Sequence, residues 1–99
     1  MDHVLEITTF APAPGRTAAD FVAAGQDIDA YLARRPGFRG RTVAVREDGT
    51  VVDIVAWDTT GQAMASARGI TTEMGGSPVH ATIDQRTVDW QVARVAHTT

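Results

Sequence analysis

Apolar positions along the chain alternate in some stretches and recur at helical spacing in others, and their order predicts the elements. Val4 to Phe10 reads Val-Leu-Glu-Ile-Thr-Thr-Phe, β-branched and apolar, and Ala11-Pro12-Ala13-Pro14-Gly15 then stops any continuous ladder. This is a strand followed by a loop. Thr17 to Asp20 has capping-box spacing, and Phe21, Val22, Gly25, Ile28 and Leu32 recur at helical intervals as far as Arg35, where Pro36-Gly37 ends the segment. One helix is predicted over 17–35. Phe38 to Arg46 and Val51 to Trp57 are β-prone runs on either side of Glu47-Asp48-Gly49-Thr50, a hairpin signal that pairs strands two and three antiparallel. Thr59 to Gln62 repeats the capping-box spacing, and Ala63, Met64, Ala67 and Ile70 give a second helix an apolar stripe before Gly75-Gly76-Ser77-Pro78. From Val79 to Ala96 β-type residues return with a break near Asp84-Gln85-Arg86, predicting a fourth strand with a bend.

The order β-α-β-β-α-β specifies an α+β fold of the ferredoxin-like type, with both helices on one face of a four-stranded antiparallel sheet. The other face is left uncovered. In strand three Val52, Ile54 and Ala56 point one way while Val51, Val55 and Trp57 point the other, so both sides are apolar. Covering the free side with the same face of a second copy removes the exposed patch, which predicts an isologous homodimer.

With 99 residues the chain is read as one domain, 1–99. A net charge of −3, with nine basic residues that are all Arg, argues against nucleic acid as the main partner. No apolar run approaches the ~20 residues of a membrane span and the start is not that of a secretory signal, so the expectation is a cytoplasmic protein without a membrane partner. The absence of Cys excludes disulfides, thiolate metal sites and Cys nucleophiles.

Candidate chemistry centres on the hairpin. If its loop has two or four residues, positions 46 and 51 pair, placing Ala44 opposite Asp53, Thr42 opposite Val55 and Gly40 opposite Trp57. Small residues then lie beside a carboxylate and an amphipathic aromatic, leaving space for a small molecule. A three-residue loop shifts this register by one and moves those side chains to the other face. Asp is disfavoured within a strand, so Asp53 in Val-Val-Asp-Ile-Val-Ala-Trp asks for a reason. It is a base that takes an acidic phenolic or C–H proton from an aromatic ketone, the partner of the diagonal Arg46, or a side chain reaching solvent at a sheet edge. Trp57 is read as a stacking wall, Tyr31 and Thr42 as substrate contacts, and His80, at the start of strand four, as a hydrogen-bond donor at the pocket rim. His3, His80 and His97 are too scattered for a metal motif. Arg34, Arg35, Arg39 and Arg41 flank Pro36-Gly37 and are read as a solvated charge cluster, with anion binding as the alternative, and Trp90 is assigned to core or dimer contacts. No G-x-G-x-x-G, P-loop or Ser/His/Asp arrangement points to a nucleotide cofactor.

The run Tyr31-Leu-Ala-Arg-Arg-Pro-Gly-Phe-Arg-Gly-Arg41, followed by Asp48-Gly-Thr-Val-Val-Asp-Ile-Val-Ala-Trp57 and Asp58-Thr-Thr-Gly-Gln-Ala63, resembles the antibiotic biosynthesis monooxygenase family over residues 4–95. The resemblance implies a dimeric α+β barrel: homodimers, each subunit with a pocket between sheet and helices. It also implies oxygenation of aromatic polyketides with no metal, flavin or other cofactor, in which a bound anthrone is deprotonated and its carbanion gives an electron to O₂. Trp57 matches the Trp of those oxygenases, and Asp53 stands where they carry Asn. The haem-degrading branch uses an Asn on strand one and a His on helix two, and this chain has neither. The reading is therefore a cofactor-independent monooxygenase acting on a polycyclic aromatic substrate, with Asp53 as base or orienting group. A polyketide cyclase and a non-catalytic ligand-binding dimer are the alternatives on the same fold.

Overall fold

The computed structural model describes residues 3–99. The β-branched run Val4–Phe10 forms β1, and Thr17 caps the helix that follows, its hydroxyl accepting from the Asp20 N–H while the Asp20 carboxylate accepts from the Thr17 N–H. The helical segment expected over 17–35 is two helices, α1 (Ala18–Ala24) and α2 (Gln26–Ala33), divided at Gly25. Gly25 is where the chain passes the turn around Val79: a Cβ there would sit 3.2 Å from Val79 Cγ2 and 3.1 Å from the Phe21 carbonyl oxygen. The helical spacing of the apolar residues continues through the break, so Phe21, Ile28, Tyr31 and Leu32 all reach the core.

Strands β2 (Phe38–Val45) and β3 (Val51–Trp57) make the expected hairpin, and α3 (Thr60–Thr71) begins at the second capping box, Thr59 with Gln62. The sheet order is β2-β3-β1-β4, antiparallel throughout. This is the expected ferredoxin-like topology, with the helices packed on one face. Val4, Phe10, Val51, Val55 and Trp57 on that face are buried with Phe21, Ile28, Tyr31, Leu32, Ala63 and Val79. Leu5, Ile7, Val52, Ile54 and Ala56 lie on the opposite face and are half-buried.

Two expectations are corrected. The fourth strand is shorter than the β-type residues suggested: Pro78–Thr82 and Gln85–Thr87 are single 3₁₀ turns, and only Asp89–Arg94 forms β4. Side chains that compete for the backbone explain this. Ser77 Oγ accepts from the Val79 N–H, and Asp84 Oδ1 accepts from the Arg86 N–H, so local caps displace ladder pairing. His80 accordingly sits in a turn rather than at a strand start.

The hairpin register is also shifted by one. The Arg46 N–H donates to the Thr50 carbonyl, the Gly49 N–H donates to the Arg46 carbonyl, and Gly49 has φ +90°. That is a three-residue loop whose last position is left-handed, the geometry of a type I turn followed by a glycine bulge. Val43 therefore pairs with Asp53, Thr42 with Ile54 and Arg41 with Val55, in place of Ala44 opposite Asp53 and Thr42 opposite Val55. A slip of one residue exchanges faces. Thr42 and Ala44 go to the outer face, and Arg41 and Val43 come to the side of Asp53.

Candidate functional site

Between the helices and the sheet lies a cavity of about 470 Å³. Its wall is largely apolar: Phe10, Phe21, Ile28 and Leu32 from one side, Met64, Ala67 and Ile70 of α3 from another, and Val79 and Ile83 from the turns. The α3 stripe read from the sequence thus faces the cavity, apart from Ala63, which is fully buried in the core. Polar groups gather on the sheet floor, where Glu6, Thr8, Arg41, Asp53 and Trp90 contribute side chains. Such a space, mainly apolar with a few fixed polar groups, suits a flat organic molecule.

Asp53 lines the cavity, yet its partner is not the expected Arg46. Arg41 Nε donates to Asp53 Oδ1 at 3.0 Å and Nη2 donates to Oδ2 at 2.8 Å, a two-pronged pair with both side chains largely buried. The third prong, Nη1, reaches Asp29 Oδ1 at 2.7 Å, and the guanidinium lies over the Phe21 ring. Burial works against the charge on Arg41, but Asp53 and then Asp29 more than offset it, so the guanidinium sits above its ordinary value. The shifted register makes this pair, since it places Arg41 on the Asp53 face.

The other expected residues divide between the cavity and its surroundings. His80 is at the cavity wall, with Nε2 3.0 Å from the Met74 carbonyl oxygen; because a carbonyl only accepts, that nitrogen carries the proton. Trp57 is fully buried beneath the floor and does not line the cavity. Its ring is set edge-on to Phe38. Tyr31 is also outside the lining; its hydroxyl donates to the Ser66 carbonyl at 3.3 Å. Thr42 is on the outer face, away from the cavity. Ser66 itself lines the cavity and is almost wholly buried, and its Oγ has no hydrogen-bond partner among the described residues.

The sequence reading assigned no role to Glu6, and Trp90, expected in core or dimer contacts, lines the cavity. Glu6 stands in the middle of β1 on the helix-facing side, buried, between Val4 and Thr8 of the same face. Trp57 Nε1 donates to its Oε1 at 2.9 Å and Trp90 Nε1 donates to its Oε2 at 2.7 Å. The signal was present in the alternation of strand one: Val4, Glu6, Thr8 and Phe10 share a face, and a Glu there breaks an otherwise buried row.

No protein-family model matches the chain, and no curated protein matches it in sequence. Solved structures do match, over nearly the whole chain. SnoaB, a cofactor-independent oxygenase from Streptomyces nogalater, in its N63A variant, superposes with a TM-score of 0.76 at 19% identity, covering 99% of this chain and 97% of that one. The monooxygenase of the gene ActVA-Orf6 of Streptomyces coelicolor, in complex with the ligand nanaomycin D, gives 0.75 at 16% identity over 98% and 90%. A proposed antibiotic biosynthesis monooxygenase from Nitrosomonas europaea gives 0.74 at 16% over 98% and 93%. The fold is thus the ferredoxin-like α+β fold of antibiotic biosynthesis monooxygenase structures, as the resemblance implied.

Proposed function

We propose that this protein is a monooxygenase that uses neither metal nor flavin and oxidises a polycyclic aromatic substrate of the anthrone type. The observation that carries the reading is the cavity itself: a largely apolar slot with carboxylate, guanidinium and indole groups on its sheet floor and Ser66 and His80 on its other walls, in a fold shared with a cofactor-independent oxygenase and with a monooxygenase that holds nanaomycin D. In this reading a flat ring system occupies the space between Phe10, Phe21 and Ile28 and the α3 residues, with its reactive ring carbon towards the floor. The balanced reaction converts a ring CH₂ and O₂ into a ring C=O and water. Loss of one C–H proton leaves a carbanion delocalised over the rings, which reduces O₂ by one electron; the oxygen and carbon radicals then join, and the O–O bond breaks as the second proton leaves. The substrate supplies all the electrons, so the protein's tasks are proton removal, orientation and exclusion of water.

In this reading the Arg41–Asp53 pair is an orienting device. Asp53 fixes the guanidinium, and the guanidinium N–H groups not engaged by Asp53 or Asp29 are left to donate to a substrate oxygen that becomes more negative as the proton leaves. His80 and the unpartnered Ser66 Oγ are the further substrate contacts. O₂ consumption by the metal-stripped protein with a panel of anthrones tests the proposal. Uptake above the protein-free rate is expected. No uptake with any of them would refute it, and product formed equally well without O₂ would assign the cavity to a cyclase.

A further inference from the structure

We propose that Glu6 is the proton acceptor of the reaction, and that the indole N–H groups of Trp57 and Trp90 hold its carboxylate in place for that task. The inference rests on the oxygenase reading for its substrate and deepens it by assigning the base to a residue other than Asp53.

The two carboxylates on the cavity floor are partnered in different ways. Both oxygens of Asp53 are taken by one guanidinium, which neutralises the charge where it sits. Glu6 has no cation within ion-pair distance among the described residues. Its partners are two neutral indole donors, one on each oxygen. An indole N–H donates and cannot accept, so it fixes the orientation of the oxygen that it meets. Each carboxylate oxygen has room for about two hydrogen bonds, so one site on each stays free. Glu6 thus presents to the cavity a carboxylate that is rigidly aimed, uncompensated by any cation, and still able to accept a proton.

Position supports the assignment. Glu6 lies on β1, the inner strand between β3 and β4, so its backbone is held by ladders on both sides. Trp57 comes from β3 and Trp90 from β4, and each strand thereby contributes one donor to the same carboxylate. Trp57 cannot withdraw, being wholly enclosed. Trp90 is partly exposed at the open side, and its ring also lines the cavity. A substrate oriented by Arg41 has its acidic C–H on the same floor as Glu6. The step is a plain proton transfer: the C–H bond breaks, its electron pair stays on the ring, and the proton passes to a Glu6 oxygen.

The test separates this step from oxygenation by leaving O₂ out. Mixed with the wild-type protein under strict anaerobiosis, anthrone should be converted to its coloured anion, read by absorbance. Glu6→Gln keeps the size of the side chain and removes the proton acceptor; the rate at which the anion appears after mixing should fall at least about 100-fold, a normal range for loss of a general base. Asp53→Asn should retain the anion and lose substrate affinity instead, read as a raised Kd from tryptophan quenching. Equal anion formation by wild type and Glu6→Gln, or its loss in Asp53→Asn alone, would overturn the assignment. If Glu6→Gln does not fold, Glu6→Asp, which draws the carboxylate back by one methylene, gives the same reading: a drop of at least about tenfold in the rate of anion formation supports the proposal and an unchanged rate refutes it. Anaerobic anion formation without later O₂ uptake would instead defeat the oxygenase reading while leaving Glu6 as the base.

Discussion

The indole nitrogen of Trp57 donates to Glu6 Oε1 at 2.9 Å, and this single hydrogen bond ties the middle of β1 to the last residue of β3. Trp57 is wholly enclosed, so its indole N–H has no water as a substitute for the carboxylate. Trp57→Phe removes the donor and leaves space beside a buried carboxylate. The expected loss of stability is about 2 kcal/mol, since hydrogen bonds to charged groups contribute roughly 1.5–3 kcal/mol. Trp90→Phe, at a partly exposed position, should cost about half as much. Urea unfolding followed by circular dichroism compares the two variants directly.

The Arg41–Asp53 pair gives a second prediction. Asp53→Ala leaves a largely buried guanidinium with only the exposed Asp29 to meet it, and a buried pair broken from one side typically costs about 3 kcal/mol or more. Replacing both residues together, Asp53→Leu with Arg41→Met, should recover most of that loss, because no uncompensated charge is left behind. A double-mutant cycle built from Asp53→Leu, Arg41→Met and the two together, each followed by urea unfolding, measures the coupling. Strict additivity of the single changes would show that the pair does not act as a unit.

Gly49 closes the hairpin at φ +90°, a conformation in which a side chain is strained, and nothing near it would obstruct a Cβ. Gly49→Ala should therefore cost about 1 kcal/mol through backbone strain alone. Thermal unfolding would show this, and an unchanged midpoint would mean that the loop adopts another turn type.

That glycine also marks the limit of what the sequence disclosed. Asp48-Gly49 announces a hairpin, but the same dipeptide serves loops of two, three or four residues, and only the loop length sets which side chains share a face. The first three strands, both capping boxes and the apolar outer face were legible because each rests on local periodicity or on a spacing of three. The pairing of Asp53 with Arg41 was not, because it depends on the register. Glu6 was missed for a related reason: its meaning comes from Trp57 and Trp90, which are 51 and 84 residues away along the chain. The break at Gly25 and the turns at 78–87 likewise reflect tertiary contact and side-chain caps overriding continuous apolar patterns.

The outer sheet face leads to a fourth prediction. Leu5, Ile7, Val52, Ile54 and Ala56 form a half-buried apolar surface with no helix over it, and a second copy of the chain is proposed to cover it. Ile54→Glu places a charge in the middle of that surface without touching the cavity side of the sheet. Sedimentation equilibrium should give a dimer for the wild type and a shift towards monomer for the variant. A wild-type monomer at tens of micromolar would end the proposal.

The most direct measurement of the central claim follows the oxygen atom. Metal-stripped protein is given an anthrone under ¹⁸O₂, and the product is analysed by mass spectrometry for the label in its new carbonyl group. One labelled oxygen per product is expected, at a rate well above the protein-free reaction, with the other oxygen atom appearing in water. A product without the label, or labelling no faster with the protein than without it, would contradict the account.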